Sequence, residues 1–254
     1  MQATITLIVD ASSYLHAYWA GTGGQSNPGR ALQRICHEFS RKHSADAITV
    51  FDPAEGTTWR HRIFPTYKAG RQPKPESLLD AIAEAKAIAG QDGTLGPEFH
   101  EHEADDVIAY CVQRVLDQGG RAVVLSRDKD MHQLLEAGRV TILKEARAVG
   151  SGAYDWTYYT AADLLKAEQL RPDQWPDYRA IMGDASDAWK GAPGLGEVKA
   201  KRILQAAGSL PRAMETMDAL PLSTREKMAL RSFEWKLGLE LMTLRRRIEA
   251  EAVA

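Results

Sequence analysis

The chain has 254 residues, of which 44% are hydrophobic and 26% charged, so it can bury a sizeable core and has the composition of an ordinary globular protein. Its apolar runs all fall short of the roughly 20 residues that cross a bilayer, and its first residues lack a basic segment and a cleavage site, so we expect a cytoplasmic protein. The formal net charge of −2 argues against a uniformly basic nucleic-acid binder.

Apolar runs that end in acids alternate with stretches of helical periodicity as far as about Thr160. This alternation predicts an α/β fold with a mostly parallel sheet. The predicted strands cover Ile5–Asp10, Ala47–Asp52, Arg121–Asp130 and Arg139–Lys144. The predicted helices cover Gly29–His43, Glu76–Ala89 and Glu103–Gly120.

Beyond about Thr160 the strand signal fades, and the pattern is helical as far as Ile248. We therefore predict an α/β core at residues 1–170 and a helical region at residues 171–254. The last predicted helix is amphipathic and carries Arg245, Arg246 and Arg247, for which we expect packing rather than DNA contact. Cys36 and Cys111 are far apart in amphipathic stretches, so we expect buried free thiols.

Nine carboxylates lie in five short groups, and most of them follow a predicted strand or open a predicted helix. The carboxyl ends of parallel strands form the ligand-binding edge of a sheet, and acids three apart share a helix face. Each group alone has an ordinary alternative as a turn, a helix cap or a partner of the helix dipole. If the groups converge, their repulsion requires hard divalent cations, which prefer oxygen ligands. The nine residues are Asp10, Asp52, Glu103, Asp105, Asp106, Asp128, Asp130, Asp184 and Asp187.

Basic residues are segregated from these acids. The segment from Thr57 to Pro75 contains no acid and five basic residues. Further along, Gly194 and Gly196 flank a tight turn that opens a helix carrying Lys199. Glycines allow a phosphate to approach the backbone closely, and the exposed N–H groups of a helix N-terminus bind anions. The turn therefore predicts a contact to a nucleic-acid backbone without base readout.

Six segments, in this order, carry a resemblance to a known family. They read "LIVDASSYL", "VFD", "WRHRIFPTYKAGRQPKPESL", "EADD", "SRDKDMHQLL" and "GDASDAWKGAPGLGEVKA". The chain resembles the 5′-nuclease family, which includes flap endonucleases, phage 5′–3′ exonucleases and the 5′-nuclease domain of bacterial DNA polymerase I. It departs from the family pattern at Ala188–Gly191, where the family commonly has Asn and an apolar residue before Pro-Gly, and at His16, where an arginine is frequent.

The resemblance implies a PIN-like core with a short helical arch at about 60–98, and a helix-hairpin-helix motif at about 183–207 in the helical region. It implies a monomeric, metal-dependent 5′–3′ exonuclease and flap endonuclease of DNA replication or repair, which leaves 5′-phosphate products. The implied cofactors are two or more Mg²⁺ or Mn²⁺ ions and a K⁺ ion at the hairpin turn. The implied substrates are 5′ flaps and 5′ ends of DNA, and RNA–DNA hybrids.

The resemblance also implies residue roles. The five acids from Asp10 to Asp106 would form one metal site, and the four from Asp128 to Asp187 the second. Lys68 and Arg71 would face the scissile phosphate, and the base next to the cut would stack on Tyr67. The implied DNA contacts are Arg60, Gly194, Gly196 and Lys199.

Two alternatives remain from the residues. A PIN-type ribonuclease shares the acidic α/β core, although such domains are usually shorter and lack the Gly-Leu-Gly hairpin and the basic segment. A catalytically silent protein that binds branched DNA would share the basic features, but the presence of all nine acids argues against it. A cleavage assay with and without magnesium separates the second alternative from an enzyme.

Overall fold

The chain passes repeatedly between two structural units, so neither unit is one continuous stretch of sequence. The computed structural model describes residues 4–23, 27–53, 57–149 and 153–249. The first unit comprises Met1–Thr58, Pro73–Thr160 and Arg245–Ala254, and the second comprises Trp59–Gln72 and Ala161–Leu244.

The first unit contains a five-stranded sheet. Its strands are β1 (Ile5–Asp10), β2 (Asp46–Val50), β3 (Arg121–Leu125), β4 (Val140–Val149) and β5 (Ala153–Tyr159). The strand order is β2-β1-β3-β4-β5, with β5 antiparallel and the other strands parallel to one another. The predicted mostly parallel sheet is confirmed, and the antiparallel edge strand β5 is an addition that the sequence analysis missed.

Helices follow the strands as the alternation predicts. In chain order they are α1 (Ala11–Thr22), α2 (Pro28–His43), α3 (Trp59–Ile63), α4 (Glu76–Gln91), α5 (Ala104–Asp117), α6 (Ala161–Glu168), α7 (Trp175–Met182), α8 (Glu197–Ala207), α9 (Leu210–Glu215), α10 (Thr224–Ser232) and α11 (Trp235–Met242). Among the described residues, no helix combines the length and apolarity needed to cross a bilayer.

The core of the first unit packs helices against the sheet. Leu7 and Val9 of β1 belong to one cluster with Ile35 and Phe39 of α2, and all four are fully or almost fully buried. Successive strand residues point to opposite faces, and α5 packs against β1 and β3. Burial on this scale is the main contribution to the stability of the unit.

Helix α4 belongs to the same packed layer, which limits the predicted arch. It packs against α2, where a side chain on Gly29 would meet the backbone of Ala85 at 3.0 Å. Leu78 and Ala85 of α4 are buried. Residues 69–77 form the longest continuous exposed stretch of the segment at about 60–98, and the arch itself stays a prediction.

In the second unit, α7 and α8 flank a two-stranded hairpin. Its strands are β6 (Gly183–Asp184) and β7 (Trp189–Lys190), which are antiparallel. Trp189 is buried, donates its indole N–H to the Ala180 carbonyl at 3.0 Å, and packs edge-on against Phe64. The departure from the family pattern at Ala188–Gly191 therefore has a structural use, because Trp189 anchors the hairpin.

Two glycines permit the close crossing of backbone at this hairpin. A Cβ atom on Gly191 would lie 2.0 Å from the Ile181 carbonyl oxygen, and one on Gly183 would lie 2.5 Å from the Gly191 nitrogen. Neither obstacle is a flexible side chain that could move aside. The hairpin therefore requires glycine at both positions.

We expect the substitution Gly191→Ala to destabilise the protein by about 3 kcal/mol or more, because the new methyl group can be accommodated only by moving backbone. Thermal unfolding should show a melting temperature lower by on the order of 10 °C. The matched control is Gly196→Ala, since a Cβ atom there has nothing within 4 Å. Equal melting temperatures for the two variants would contradict this explanation.

The C-terminal segment differs from the prediction. Helix α11 ends at Met242 and Thr243 is extended, so Arg245, Arg246 and Arg247 lie beyond the helix that was expected to carry them. In the first unit the Arg246 guanidinium donates to the Gln133 carbonyl at 2.8 Å, and burial lowers its pKa. Packing rather than DNA contact is the role that this geometry gives Arg246, as expected.

Both cysteines are buried free thiols, which confirms the expectation. Burial raises the pKa of Cys36 to about 12 and that of Cys111 to about 11. Neither thiol is therefore ionised near neutral pH, and neither has the reactivity of a catalytic cysteine.

Candidate active site

Carboxylates from three parallel strands meet at one edge of the sheet in the first unit. Asp10 ends β1, is buried, and caps α1 by accepting a hydrogen bond from the Ser13 N–H at 3.0 Å. The Ser126 hydroxyl donates to the other Asp10 oxygen at 2.8 Å and accepts from the Asp128 N–H at 3.0 Å. Ser126 thus links the acid that ends β1 with the acid that follows β3.

Asp52, which follows β2, links the same edge to α5. Its N–H donates to the Ser12 hydroxyl at 2.8 Å, and its carboxylate accepts from the Ala104 N–H at 3.0 Å. Asp52 therefore caps the helix that Glu103 precedes, and the Lys74 ammonium lies 4.0 Å from its second oxygen. We call Asp10, Asp52 and Asp128 the acid edge.

The acid edge is electrostatically strained. Burial raises the pKa of Asp10 to about 7, and the negative charges of Asp52 and Asp128 add to this effect. The hydrogen bonds from Ser13 and Ser126 oppose the rise but do not cancel it. The three carboxylates therefore act on one another, and a cation between them would relieve the repulsion.

The remaining acids of the first unit fall into two classes. Glu103 is buried, Asp105 is half-buried in the first turn of α5, and Asp130 is half-buried with its N–H bonded to the Asp128 carboxylate at 2.8 Å. Asp106 differs, because it is fully buried and accepts a hydrogen bond from the Arg245 N–H at 3.0 Å. This hydrogen bond joins Asp106 to the C-terminal segment, and the role of Asp106 as a metal ligand stays a prediction.

Asp184 and Asp187 lie in the second unit, and both engage arginines. Asp184 forms an ion pair with Arg179 and accepts two hydrogen bonds from Ser186 at 2.7 Å. Burial raises the pKa of Asp184, but the Ser186 hydrogen bonds and the Arg179 charge outweigh burial, so the pKa lies below its usual value. Asp187 is buried and pairs with the Arg71 guanidinium at 3.1 Å.

The predicted phosphate-facing pair is held beside these acids. Arg71 also donates to the Ser186 carbonyl at 3.4 Å, and the Lys68 N–H donates to the Asp187 carbonyl at 3.4 Å. Lys68 has a φ of +56°, a left-handed conformation that is costly for a lysine. Strain of this kind persists only where the surroundings impose it, and it is frequent at functional sites.

Two predicted DNA contacts are instead buried. The Arg60 side chain donates to the Leu241 carbonyl at 2.9 Å and lies over the Trp59 ring, so its position gives it a packing role and not a phosphate contact. Tyr67 is also buried, packs edge-on against His61 and lies 4.9 Å from the Lys68 ammonium. A base could stack on Tyr67 only after the ring moved.

The glycine turn has the predicted backbone form. Gly194 has a φ of +76°, and Gly196 caps α8. The Lys199 ammonium lies 3.5 Å from the Gly194 carbonyl oxygen. This places a cation where the resemblance implies a K⁺ ion.

The donor set fits hard divalent cations, because it consists of carboxylate oxygens. Within the described ranges, however, no three acidic, histidine or cysteine side chains are already spaced to hold a metal ion. In this structure the carboxylates bind hydroxyls, backbone amides and guanidinium groups.

Four partners of these acids escaped the sequence analysis. They are Ser12, Ser13, Ser126 and Arg179. The three serines stand within three residues of an acid in "DASS" and "SRD", and this closeness could have marked them as partners. Ser126 donates its hydroxyl and Ser13 its backbone N–H to the Asp10 carboxylate, whereas the Ser12 hydroxyl accepts from the Asp52 N–H. Arg179 has no comparable signal.

Comparisons with known proteins agree with this geometry. The model of the 5′-3′ exonuclease N-terminal resolvase-like domain matches residues 5–166, and that of the 5′-3′ exonuclease C-terminal SAM fold matches residues 170–253. The chain is 30% identical to flap endonuclease Xni of Pectobacterium carotovorum over 94% of this chain and 88% of that protein.

Two further similarities concern a longer protein and a solved structure. The chain is 32% identical to the thermostable DNA polymerase I of Thermus aquaticus over 91% of its own length, but it spans only 27% of the polymerase. It shares its fold with the solved T5 5′-exonuclease at a TM-score of 0.79 and 19% identity, over 95% of this chain and 90% of that one. The family resemblance of the six sequence segments is thereby confirmed, and the chain belongs to the 5′–3′ exonuclease family.

Proposed function

We propose that this chain is a structure-specific 5′ nuclease that hydrolyses phosphodiester bonds in DNA and depends on divalent cations. The acid edge carries the proposal, because it gathers carboxylates from three strands around a buried Asp10 whose pKa is raised to about 7. Groups perturbed in this way cluster at functional sites. Their oxygen donors suit Mg²⁺ or Mn²⁺ better than softer metals.

The relatives support the reaction class. Flap endonuclease Xni, by its name, cleaves at flaps, and this chain covers most of its length. The solved T5 5′-exonuclease contains bound divalent zinc ions. The Thermus polymerase extends far beyond the region that it shares with this chain, so its polymerase activity is no part of the proposal.

We assign the cations to eight of the nine predicted acids and leave out Asp106, which is fully buried and accepts a hydrogen bond from the Arg245 N–H. The residues are Asp10, Asp52, Glu103, Asp105, Asp128, Asp130, Asp184 and Asp187. When bound, divalent cations would lower the pKa of an attacking water and neutralise charge on the phosphate oxygens.

The residues of the chain supply orientation and positive charge. Ser13 and Ser126 fix the Asp10 carboxylate by hydrogen bonds to its two oxygens. The Arg71 guanidinium is paired with Asp187, and it would turn to a phosphate when one is bound. Lys68 stands three residues before Arg71. Both would stabilise negative charge that develops in the transition state.

We further propose that the enzyme acts as a cytoplasmic monomer on 5′ flaps and 5′ ends of DNA, and on RNA–DNA hybrids. The glycine turn before α8 would contact the duplex backbone through N–H groups at the helix N-terminus. A K⁺ ion at that turn would have to displace the Lys199 ammonium from the Gly194 carbonyl.

A double-flap DNA labelled separately at its 5′ and 3′ ends tests the proposal. We expect cleavage near the flap junction in magnesium and none in EDTA, with a 3′-hydroxyl on the released flap and a 5′-phosphate on the strand that stays in the duplex. Release of mononucleotides alone would indicate an exonuclease without flap specificity. Cleavage of single-stranded RNA with no cleavage of DNA would overturn the proposal in favour of a ribonuclease. Binding of flap DNA with no cleavage would favour a silent binder.

A further inference from the structure

A cavity of about 310 Å³ opens beside the acid edge in the first unit. It lies between α1 and the segments at the ends of β3 and the middle of β4. Its volume is at the lower end of the range for small-molecule sites, which fits one ligand the size of a nucleotide. Its polar end is formed by Asp10 and Ser126, and its aromatic wall by Tyr14 and Tyr18. Its cationic side is formed by Arg127 and Lys144.

The aromatic wall presents a flat apolar surface. Tyr14 and Tyr18 stand one helical turn apart on α1, with ring centroids 5.8 Å apart and planes inclined by 27°. Burial raises the pKa of Tyr14, so its hydroxyl stays neutral and keeps its proton for donation. Ala17 and Gly21 also line the cavity, and a side chain on Gly21 would meet nothing within 4 Å. The helix thus leaves space beside the two rings, and aromatic rings stack on nucleobases of any sequence.

The opposite side of the cavity carries fixed positive charge. Lys144 lines the cavity, and its ammonium lies 3.3 Å from the centre of the Tyr159 ring. The Arg127 guanidinium lies 3.8 Å from the Glu145 carboxylate, so the negative charge of Glu145 is balanced by Arg127. Lys and Arg side chains are the usual ligands of a phosphate group.

We propose that this cavity binds one nucleoside 5′-monophosphate unit, with the base against Tyr14 and Tyr18 and the phosphate toward Lys144 and Arg127. Asp10 closes one end of the cavity and also belongs to the acid edge. A nucleotide bound here would therefore abut the site of cleavage. The choice of a nucleotide as ligand rests on the proposed function, whereas the combination of aromatic wall and cationic side is a property of the cavity.

The same chemistry has two sources, a free mononucleotide product or the terminal nucleotide of a strand. Calorimetric titration in EDTA distinguishes them without any cleavage. The probes are thymidine 5′-monophosphate, thymidine, inorganic phosphate, and short oligothymidylates with either a 5′- or a 3′-phosphate. We expect the monophosphate to bind at least about tenfold more tightly than thymidine or phosphate, since stacking and ion pairing each contribute. A 5′-phosphorylated oligomer that competes with the monophosphate would place a strand end in the cavity, and one that does not compete would leave the free product as ligand.

Two pairs of variants test the location. Ala17→Leu fills the cavity and Lys144→Met removes its ammonium, so each should weaken monophosphate binding about tenfold. Ala20→Leu changes the same helix outside the cavity. Lys42→Met removes another ammonium that lies near an aromatic ring, that of Trp156. Both controls should bind like the parent protein, and melting temperatures identify any variant that fails to fold.

The proposal is overturned if the monophosphate does not bind, if phosphate alone binds as tightly, or if the control variants weaken binding as much as the cavity variants. Its fate is separate from that of the proposed function. Monophosphate binding with no DNA cleavage would leave the cavity site standing and reject the nuclease. DNA cleavage with no monophosphate binding would support the nuclease and reject the cavity site.

Discussion

Replacing Asp10 by Asn is expected to abolish cleavage and at the same time to stabilise the metal-free protein. Changes even to groups that only support metal ligands cost 10–100-fold in activity or metal affinity, so we expect a loss of more than about a hundredfold in cleavage. The stabilisation arises because burial and the neighbouring charges disfavour the ionised Asp10 in the folded state. Asparagine has a similar shape and carries no charge.

The direction of the stability change follows from the difference between the pKa of Asp10 in the folded protein and its ordinary value. The folded pKa of Asp10, about 7, lies above its ordinary value of 3.8. The contribution of Asp10 to stability is therefore fully present below about pH 4 and is lost as the pH rises through about 7. In EDTA, the melting temperature of Asp10→Asn should equal that of the parent protein near pH 4 and exceed it by on the order of 5 to 10 °C at pH 8.

A matched control is Asp80→Asn on the exposed face of α4, which should change neither cleavage nor melting temperature. Differential scanning calorimetry in EDTA and the flap assay in magnesium are the two measurements. A variant that lost both activity and stability at pH 8 would show that the Asp10 carboxylate is a structural hydrogen-bond acceptor, and would remove the main support for the metal site.

The sequence was informative where function depends on the ends of regular elements. Asp10, Asp52 and Asp128 were predicted at one edge because the carboxyl ends of parallel strands must lie together, and that geometry follows from alternation alone. The glycine turn at Gly194 and Gly196 was found by a similar local rule. The antiparallel β5 was missed because its aromatic-rich residues follow a strand without an intervening helix, which breaks the strand-helix alternation at the edge of the sheet.

Packing between residues remote in sequence was not predictable. The family resemblance implied a phosphate contact for Arg60, but Arg60 binds the carbonyl of Leu241, which is 181 residues away. Asp106 was expected beside Glu103 on a helix face, but its partner is the backbone of Arg245. A local sequence pattern predicts which residues share a helix face, but it does not predict which residues pack against that face. The charge of a segment therefore does not by itself predict which of its side chains contact DNA.

The pair Asp184 and Arg179 offers the sharpest test of the acids in the second unit. We expect Asp184→Ala to reduce cleavage by more than about a hundredfold while flap-DNA binding in calcium changes little, because the carboxylate would hold a cation and not the DNA itself. The same variant leaves the largely buried Arg179 guanidinium without its ion-pair acceptor, so it should also lower stability.

These two effects can be separated with a second substitution. Arg179→Met keeps the Asp184 carboxylate and should retain most of the cleavage activity, whereas the combined Asp184→Asn and Arg179→Met variant balances the charge and should recover stability but not cleavage. The measurements are single-turnover cleavage in magnesium, binding in calcium and thermal unfolding for all three proteins. If Arg179→Met lost as much cleavage as Asp184→Ala, or if the combined variant regained activity, the carboxylate would serve only to hold the arginine. If cleavage depends on the Asp184 carboxylate and stability depends on the ion pair, Asp184 is a cation ligand. Arg179 would then occupy the position of that cation in the metal-free protein.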